Sequence, residues 1–495
     1  MFTYLRPLAA AALLLAASLG AGCSDGGLTV ADAGADAGLT PDAGLASDAG
    51  FASDAGTTTD AGLATDAGLA ADAGVAAFDP TAVPQSDARF PLAVQSGDVT
   101  SVSAILWTRY TGTDAVVLKL LEDRMTPPYR VLRELSATGA SGFLKLDVGG
   151  LAPATRYRYV FTENSAGGAR SVLGRFVTAP FAGDANKVRF GATSCTKQSY
   201  IPFPSLTQAS YQDLDFFLLL GDTTYNDDAH TQAEYRALWN QNLASRGYRD
   251  LLPSTSHIAT WDDHEVFNNW DGETVPSERL EIARETFWEH MAIRRQSPPT
   301  QNRVWRKFQW GKAAEVFMLD CRSERLPSTR MGPDAQYISR AQMAWLKEGL
   351  RNSTAAFKLI GNSVPMANFP LLFDVQANDR WEGYPAQRAE LLDFIRANNI
   401  KGVVFISGDF HVAVVARVQP SGPFFNYYDI LVGPGGNSGN PASITLQPPQ
   451  FELASTTNNV VIFDADATVS PPTLRFRFLD GSGGVFFDKT IVQGP

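Results

Sequence analysis

Three cysteines among 495 residues are too few for a disulfide-built scaffold. After residue 23 no run is long and apolar enough for a transmembrane helix, so any membrane attachment has to come from a lipid. Gly-x-Ser-x-Gly does not occur, which weighs against a serine hydrolase. The glycine-rich stretch Gly433–Gly439 lacks the Lys-Ser/Thr of a P-loop and reads as a site rim or a simple loop. Basic residues number 41 against 52 acids, a formal charge of −11 that excludes general attraction to nucleic acid or an anionic membrane. That charge is unevenly placed. Residues 1–23 hold one Arg and no acid, and residues 24–78 hold nine Asp and no base, so the remainder carries only −3. What is present is apolar material, 44% of the chain, enough for a large core and more than one domain.

The first 23 residues read as an export signal. Arg6 precedes an apolar run, Leu8 to Leu19, and Gly20-Ala21-Gly22 lead into Cys23. This resembles a bacterial lipoprotein box, with Cys23 as the lipidation site and a periplasmic or cell-surface location. Ordinary secretion, with Cys23 lost on cleavage, is the alternative. Residues 24–87 carry Asp-Ala-Gly starting at Asp32, Asp36, Asp42, Asp48, Asp54, Asp60, Asp66 and Asp72. The repeat has no consistent large apolar position, so it cannot offset its ordering entropy and is expected to be a disordered spacer.

From about Ala88 to Pro180, short alternating segments such as Ser103–Arg109 and Tyr157–Phe161 predict a β-sandwich of the fibronectin kind, with a supporting role. From 186 to 495 the texture is α/β. Apolar strands are expected at Val188–Ala192, Phe216–Leu220, Ile258–Trp261, Val316–Leu319, Lys358–Ile360 and Val403–Ser407. Helices are expected from a capping box at Ser339 and Gln342 and over about Ala386–Ala397. Strand–helix alternation of this kind places ligands beyond the carboxyl ends of the strands.

Polar residues gather at those ends. Thr193-Ser194-Cys195 follows the first strand and Gly221-Asp222-Thr223-Thr224-Tyr225 the second. Trp261-Asp262-Asp263-His264-Glu265, with Asn268-Asn269, follows the third. Asp320-Cys321-Arg322, with Arg325, and Gly408-Asp409-Phe410-His411 follow later ones. Each turn alone is weak, but five in succession bring together five Asp, two Cys, a Tyr and two of only five histidines. Such a set suits one or two hard cations beside a ferric-type site, because thiolate and phenolate favour iron while carboxylates bridge.

The series resembles the PhoD-like alkaline phosphatases of the calcineurin-like metallophosphoesterase superfamily, over roughly Ala88 to Leu453. Trp261-Asp-Asp-His-Glu-Val-x-Asn-Asn is its most specific element, and Gly-Asp-x-x-Tyr is also found in purple acid phosphatases. The resemblance implies a metallophosphoesterase-type β-sandwich flanked by helices and preceded by the all-β domain. It implies Cys195, Asp222, Tyr225 and His411 as ligands of Fe³⁺, Asp222 bridging, with Asp263 and Asp409 on a second ion, Ca²⁺. His264 takes the place of the catalytic His, oriented by Glu265 or Asp262. Arg322 would clamp phosphate, with Arg325 and Asn269 as further substrate contacts. The acid that usually follows the Tyr is missing at Asn226, and Cys321 stands where Thr is commoner. Cys195 is therefore either a thiolate ligand or one half of a disulfide with Cys321. Asn362 is either a residue behind the ligands or a turn residue.

The activity implied is hydrolysis of phosphate mono- or diesters by water activated at a binuclear or larger Fe/Ca-type centre. A phospholipase D-like diesterase on the same centre, and a cell-surface binding lipoprotein with an inactive phosphatase fold, remain as alternatives. The protein is expected to act as a monomer. His257 and His290 are read as packed structural residues.

Overall fold

The computed structural model describes residues 76–494 except 298–299, 301 and 371–378. The export signal with Cys23 and the repeat up to residue 75 lie outside the described residues.

Two large sheets face each other. In the nine-stranded sheet, Lys187–Thr193, Phe216–Leu220, Ser256–Thr260 and Val94–Gly97 run parallel at the centre. Asn459–Asp466, Thr473–Asp480 and Val485–Val492 extend one side by antiparallel pairing. Ala104–Arg109 and Phe143–Val148 extend the other. In the seven-stranded sheet, Ala314–Met318, Phe357–Gly361, Val403–Ser407 and Tyr428–Leu431 are parallel. The strands read from the sequence as continuous apolar runs are thus buried on both faces, the expected signature of parallel pairing.

Between the sheets lie Phe190, Phe216, Leu218, Val316, Leu359 and Ile406, all buried. Phe190 stacks on Phe216 and Phe463 with centroids 4.9 and 4.6 Å apart. On the far side of the larger sheet, helices Gln232–Leu243 and Ser277–His290 pack through Trp239, Phe287 and Trp288. Gly191 is needed there, because a Cβ would stand 2.5 Å from the Phe217 ring. Helices Arg340–Asn352 and Pro385–Ala397 cover the smaller sheet through Met343, Leu346, Leu391 and Ile395. The capping box forms only by half. Ser339 Oγ accepts from Gln342 N at 3.1 Å, but the Gln342 amide turns to the Asp320 backbone, and Glu324 accepts from Ser339 N instead.

The N-terminal strands do not stand apart. Val94–Gly97, Ala104–Arg109 and Phe143–Val148 belong to the nine-stranded sheet, and the antiparallel sheet containing Val116–Glu122 and Arg156–Glu163 packs on them through Leu118, Tyr159 and Phe161. Tyr157 Oη accepts from Ala152 N at 2.9 Å and so fixes the corner expected at Gly150–Thr155. Among the described residues no helix is long and apolar enough to cross a membrane.

His257 and His290 sit in the seam between these strands and the helices. His257 Nε2 meets Gln95 Oε1 at 3.0 Å, and His290 Nδ1 meets Thr286 O at 2.8 Å. Burial, reinforced by nearby Arg and Lys charges, holds both imidazoles down to about 3. The unfolded chain therefore takes up protons below pH ~6.5 that the fold refuses, and stability falls by about 1.4 kcal/mol per pH unit for each of them down to about pH 3. His257→Gln should remove one proton from that slope in urea unfolding between pH 4 and 6; an unaltered slope would contradict this assignment.

Candidate metal centre

Turns after parallel strands of both sheets converge at one end of the sheets. Ligand atoms of Cys195, Asp222 and His411 lie within 4.8 Å of one another. The same limit groups Asp222, Asp263 and His264, and also Asp222, Asp262, Asp263 and Asp409. Asp222 is common to all three groups. Its Oδ2 accepts from Tyr225 Oη at 3.1 Å and from the Cys195 thiol at 3.5 Å, and Tyr225 Oη lies 3.0 Å from His411 Nε2.

Backbone strain is concentrated here. Cys195, Asp222, Asn269, Asp409 and His411 all hold positive φ, between 53° and 70°. Such conformations persist only where the surroundings enforce them, and they cluster at functional sites. Gly221, at φ 88°, permits the close approach of the second and third turns; a Cβ there would meet the Asp262 Cβ at 2.4 Å. Buried Glu265 clasps the same two turns by accepting from the backbone N–H groups of Asp222, Thr223 and Asp262 at 3.0, 2.6 and 2.8 Å.

The electrostatics call for cations. Burial pushes the carboxyls of Asp222 and Asp409 well above the usual range, with neighbouring carboxylates adding to it. Burial also raises the Asp263 carboxyl, but the charges of Arg322 and His264 overcome this and hold it well below. Asp262 Oδ2 and Asp263 Oδ1 are buried without a hydrogen-bond partner. Four carboxylates, two of them with an orphaned oxygen, beside a thiol, a phenol and an imidazole fit metal ions, since buried charge is otherwise costly. Burial, with the charges of His264 and Lys197 added, holds His411 down to about 4, so it is neutral and able to ligate. The Cys195 thiol is held up by burial and would ionise on meeting a metal.

Two family models match the chain: PhoD-like phosphatase over residues 190–432, and the N-terminal domain of PhoD-like phosphatase over 75–180. The chain belongs to the PhoD-like phosphatase family. It is 28% identical to alkaline phosphatase D of Bacillus subtilis (strain 168) over 399 residues, 69% of this chain and 68% of that one. Among solved structures, that of PhoD superposes with a TM-score of 0.71 at 21% identity, covering 83% of this chain and 92% of the other. Purple acid phosphatase PPD1 from yellow lupin (Lupinus luteus) seeds gives a TM-score of 0.57 at 14% identity, covering 81% and 73%. These two similarities establish the metallophosphoesterase fold. As a PhoD-like phosphatase the protein is a phosphoric ester hydrolase.

Several expectations for the site need correction. Cys195 and Cys321 are both free thiols, not a disulfide. The Cys321 thiol instead donates to Asn362 Oδ1 at 2.8 Å, and that oxygen also accepts from Trp381 Nε1 at 3.1 Å, so Asn362 ties loops behind the ligands. Arg322, 0% exposed, is tied to buried carboxylates, and its Nη2 has no hydrogen-bond partner among the described residues. Its Nε donates to Asp262 Oδ1 at 2.6 Å and its Nη1 to Asp379 Oδ1 at 2.5 Å, while Nη2 lies 3.7 Å from Asp263 Oδ1. Arg325 is likewise buried, with Nη2 on Trp270 O at 2.7 Å and on Asp379 Oδ1 at 2.8 Å. Asn269 enters through its backbone, its N–H donating to Asp263 Oδ2 at 2.7 Å.

Neither Glu265 nor Asp262 orients His264. Asp227 does, its carboxylate lying 2.8 Å from Nδ1 and leaving Nε2 for the site. Burial opposes the imidazolium, yet the charges of Asp222 and Asp263 and the Asp227 bond raise His264 to about 10. The acid missed at Asn226 thus stands one residue later, the only sequence cue for it. Asn437 was also missed. From the glycine-rich loop its Nδ2 donates to Tyr225 Oη at 2.7 Å and lies 3.1 Å from His411 Nε2. An Asn closing a glycine run after an apolar strand was the available signal.

Proposed function

We propose that this PhoD-like phosphatase hydrolyses phosphate mono- or diesters at a centre of at least two metal ions. The observation that carries the reading is Asp222, whose carboxylate belongs both to a set with Cys195, Tyr225 and His411 and to a set with Asp263 and Asp409. Thiolate and phenolate donors favour Fe³⁺ in the first set, and the all-carboxylate second set favours Ca²⁺. When bound, the ions supply Lewis acidity toward phosphoryl oxygens and make water more acidic.

The chain's own groups supply the rest. Asp227 fixes the His264 ring so that Nε2–H points into the site, where it hands a proton to the departing alkoxide. Arg322 keeps Asp262 and Asp263 in place by neutralising them. Export through the leader and anchoring through an acylated Cys23 would put this chemistry on substrates outside the cytoplasm.

Metal analysis with a visible spectrum tests the proposal. The purified protein should contain iron and calcium and show a tyrosinate-to-iron charge-transfer band that Tyr225→Phe removes. It should cleave an aryl phosphate. His264→Ala should keep the metals and lose about 10²–10⁴-fold in turnover. A colourless, metal-free protein inert toward aryl phosphate would sink the reading.

A further inference from the structure

The buried guanidiniums leave a question that the geometry answers: which cation meets the phosphate. Arg322 and Arg325 are held inside the protein by Asp262 and Asp379, with Arg322 Nη2 and Arg325 Nε left without hydrogen-bond partners among the described residues. Arg279, which reaches the Asp227 turn, donates to the Asp227 carbonyl and, at 3.0 Å, to Tyr235 Oη. Lys197 differs. It is exposed, and among the described residues no carboxylate pairs with it. The undescribed stretches 298–299, 301 and 371–378 contain no Lys or Arg.

Its placement is set by the site itself. Lys197 stands two residues after Cys195, and its backbone N–H donates to Gly436 O at 2.8 Å, the residue before Asn437. Its Nζ lies 5.5 Å from the centre of the Tyr225 ring, against which the His264 ring also lies at 4.0 Å. An ammonium on a flexible four-carbon stem is thus held at the mouth, beside the ligand tyrosine and the proton-donating histidine.

We propose that Lys197 is a substrate-binding residue that contacts the non-bridging phosphoryl oxygens and biases the site toward dianionic monoesters over monoanionic diesters. This rests on the hydrolase reading above. Coulomb attraction scales with ligand charge, so the ammonium favours a monoester dianion about twice as strongly, in free energy, as a diester monoanion. Inorganic phosphate, the dianionic product, is held by the same contact.

The test compares wild type, Lys197→Gln and Lys197→Arg, metal-loaded and matched for metal content, on an aryl phosphate monoester and an aryl diester. For Lys197→Gln we expect kcat/KM to fall about tenfold on the monoester and about threefold on the diester, chiefly through KM, the size of one charge-assisted hydrogen bond. The inhibition constant of inorganic phosphate should rise about tenfold. Added salt should erode the monoester preference of wild type more than that of the variant, and Lys197→Arg should restore most of it. Equal losses on both esters, or none, with an active wild type would overturn the role of Lys197 alone. A metal-loaded wild type inert toward both esters would overturn the hydrolase reading, and this proposal with it.

Discussion

Asp222→Asn is expected to empty both halves of the metal centre and to lower turnover at least about a thousandfold, the equivalent of several kcal/mol of lost Lewis-acid stabilisation. The reason is topological. Among the described residues Asp222 is shared by all three clusters of candidate ligands, so its charge serves both halves of the centre. The substitution isolates that charge well. Asn tolerates the φ of 53° that Asp222 adopts, and the backbone N–H that binds Glu265 is unchanged. Stability should respond in the opposite sense to activity. Burial pushes the Asp222 carboxyl well above its usual range, so its ionisation weighs on the metal-free fold at neutral pH. The metal-free variant should therefore unfold no more easily than metal-free wild type, and should lack the rise in melting temperature that metal gives wild type. Metal analysis, aryl phosphate turnover and thermal unfolding with and without metal check these three points. A variant that keeps its full metal complement, or turns over within tenfold of wild type, would refute the bridging role.

Arg322→Met is expected to destabilise the protein by about 3–5 kcal/mol, the cost of removing one partner from a buried ion pair. Methionine occupies a similar volume but leaves buried Asp262 without its counter-charge and Asp379 with Arg325 alone. The measurement is urea unfolding of metal-free protein. Kinetics separate this role from the phosphate clamp that the family resemblance implies for Arg322. A clamp would raise KM and weaken inhibition by inorganic phosphate while leaving the fold intact. A buried neutraliser loses stability and metal affinity instead, with KM near wild type once metal is saturating. A variant as stable as wild type with a raised KM would restore the clamp.

The residues that carry the site were legible because their chemistry is tied to short segments. A continuous apolar run followed by Gly-Asp, or by Asp-Asp-His-Glu, marks a buried parallel strand and the polar turn after it, whatever lies around it. Cys195, Asp222, Tyr225, Asp263, His264, Asp409 and His411 all lie in turns after such strands, and the fold brings them together as candidate ligands and donors. The Ser339 cap was legible for the same reason, since N-capping is local.

What failed were assignments that depend on which side chain faces which across the sheets. Arg322 and Arg325 look like phosphate ligands in a linear reading because nothing local shows that Asp379, more than fifty residues on, folds back to claim them. Asp227 takes the role expected of Glu265 or Asp262 for a similar reason. The turn after Phe216–Leu220 carries Asp227 onto the His264 ring, while Glu265 is drawn inward by three backbone amides. Asn437, and the sharing of one sheet between the N-terminal strands and the catalytic ones, are likewise contacts between distant segments. Local pattern, then, decided the strands, the turns and the kinds of donor. Long-range packing decided which charges are spent inside the protein and which, like Lys197, stay available, because the pairing of a buried charge depends on neighbours that only the closed chain supplies.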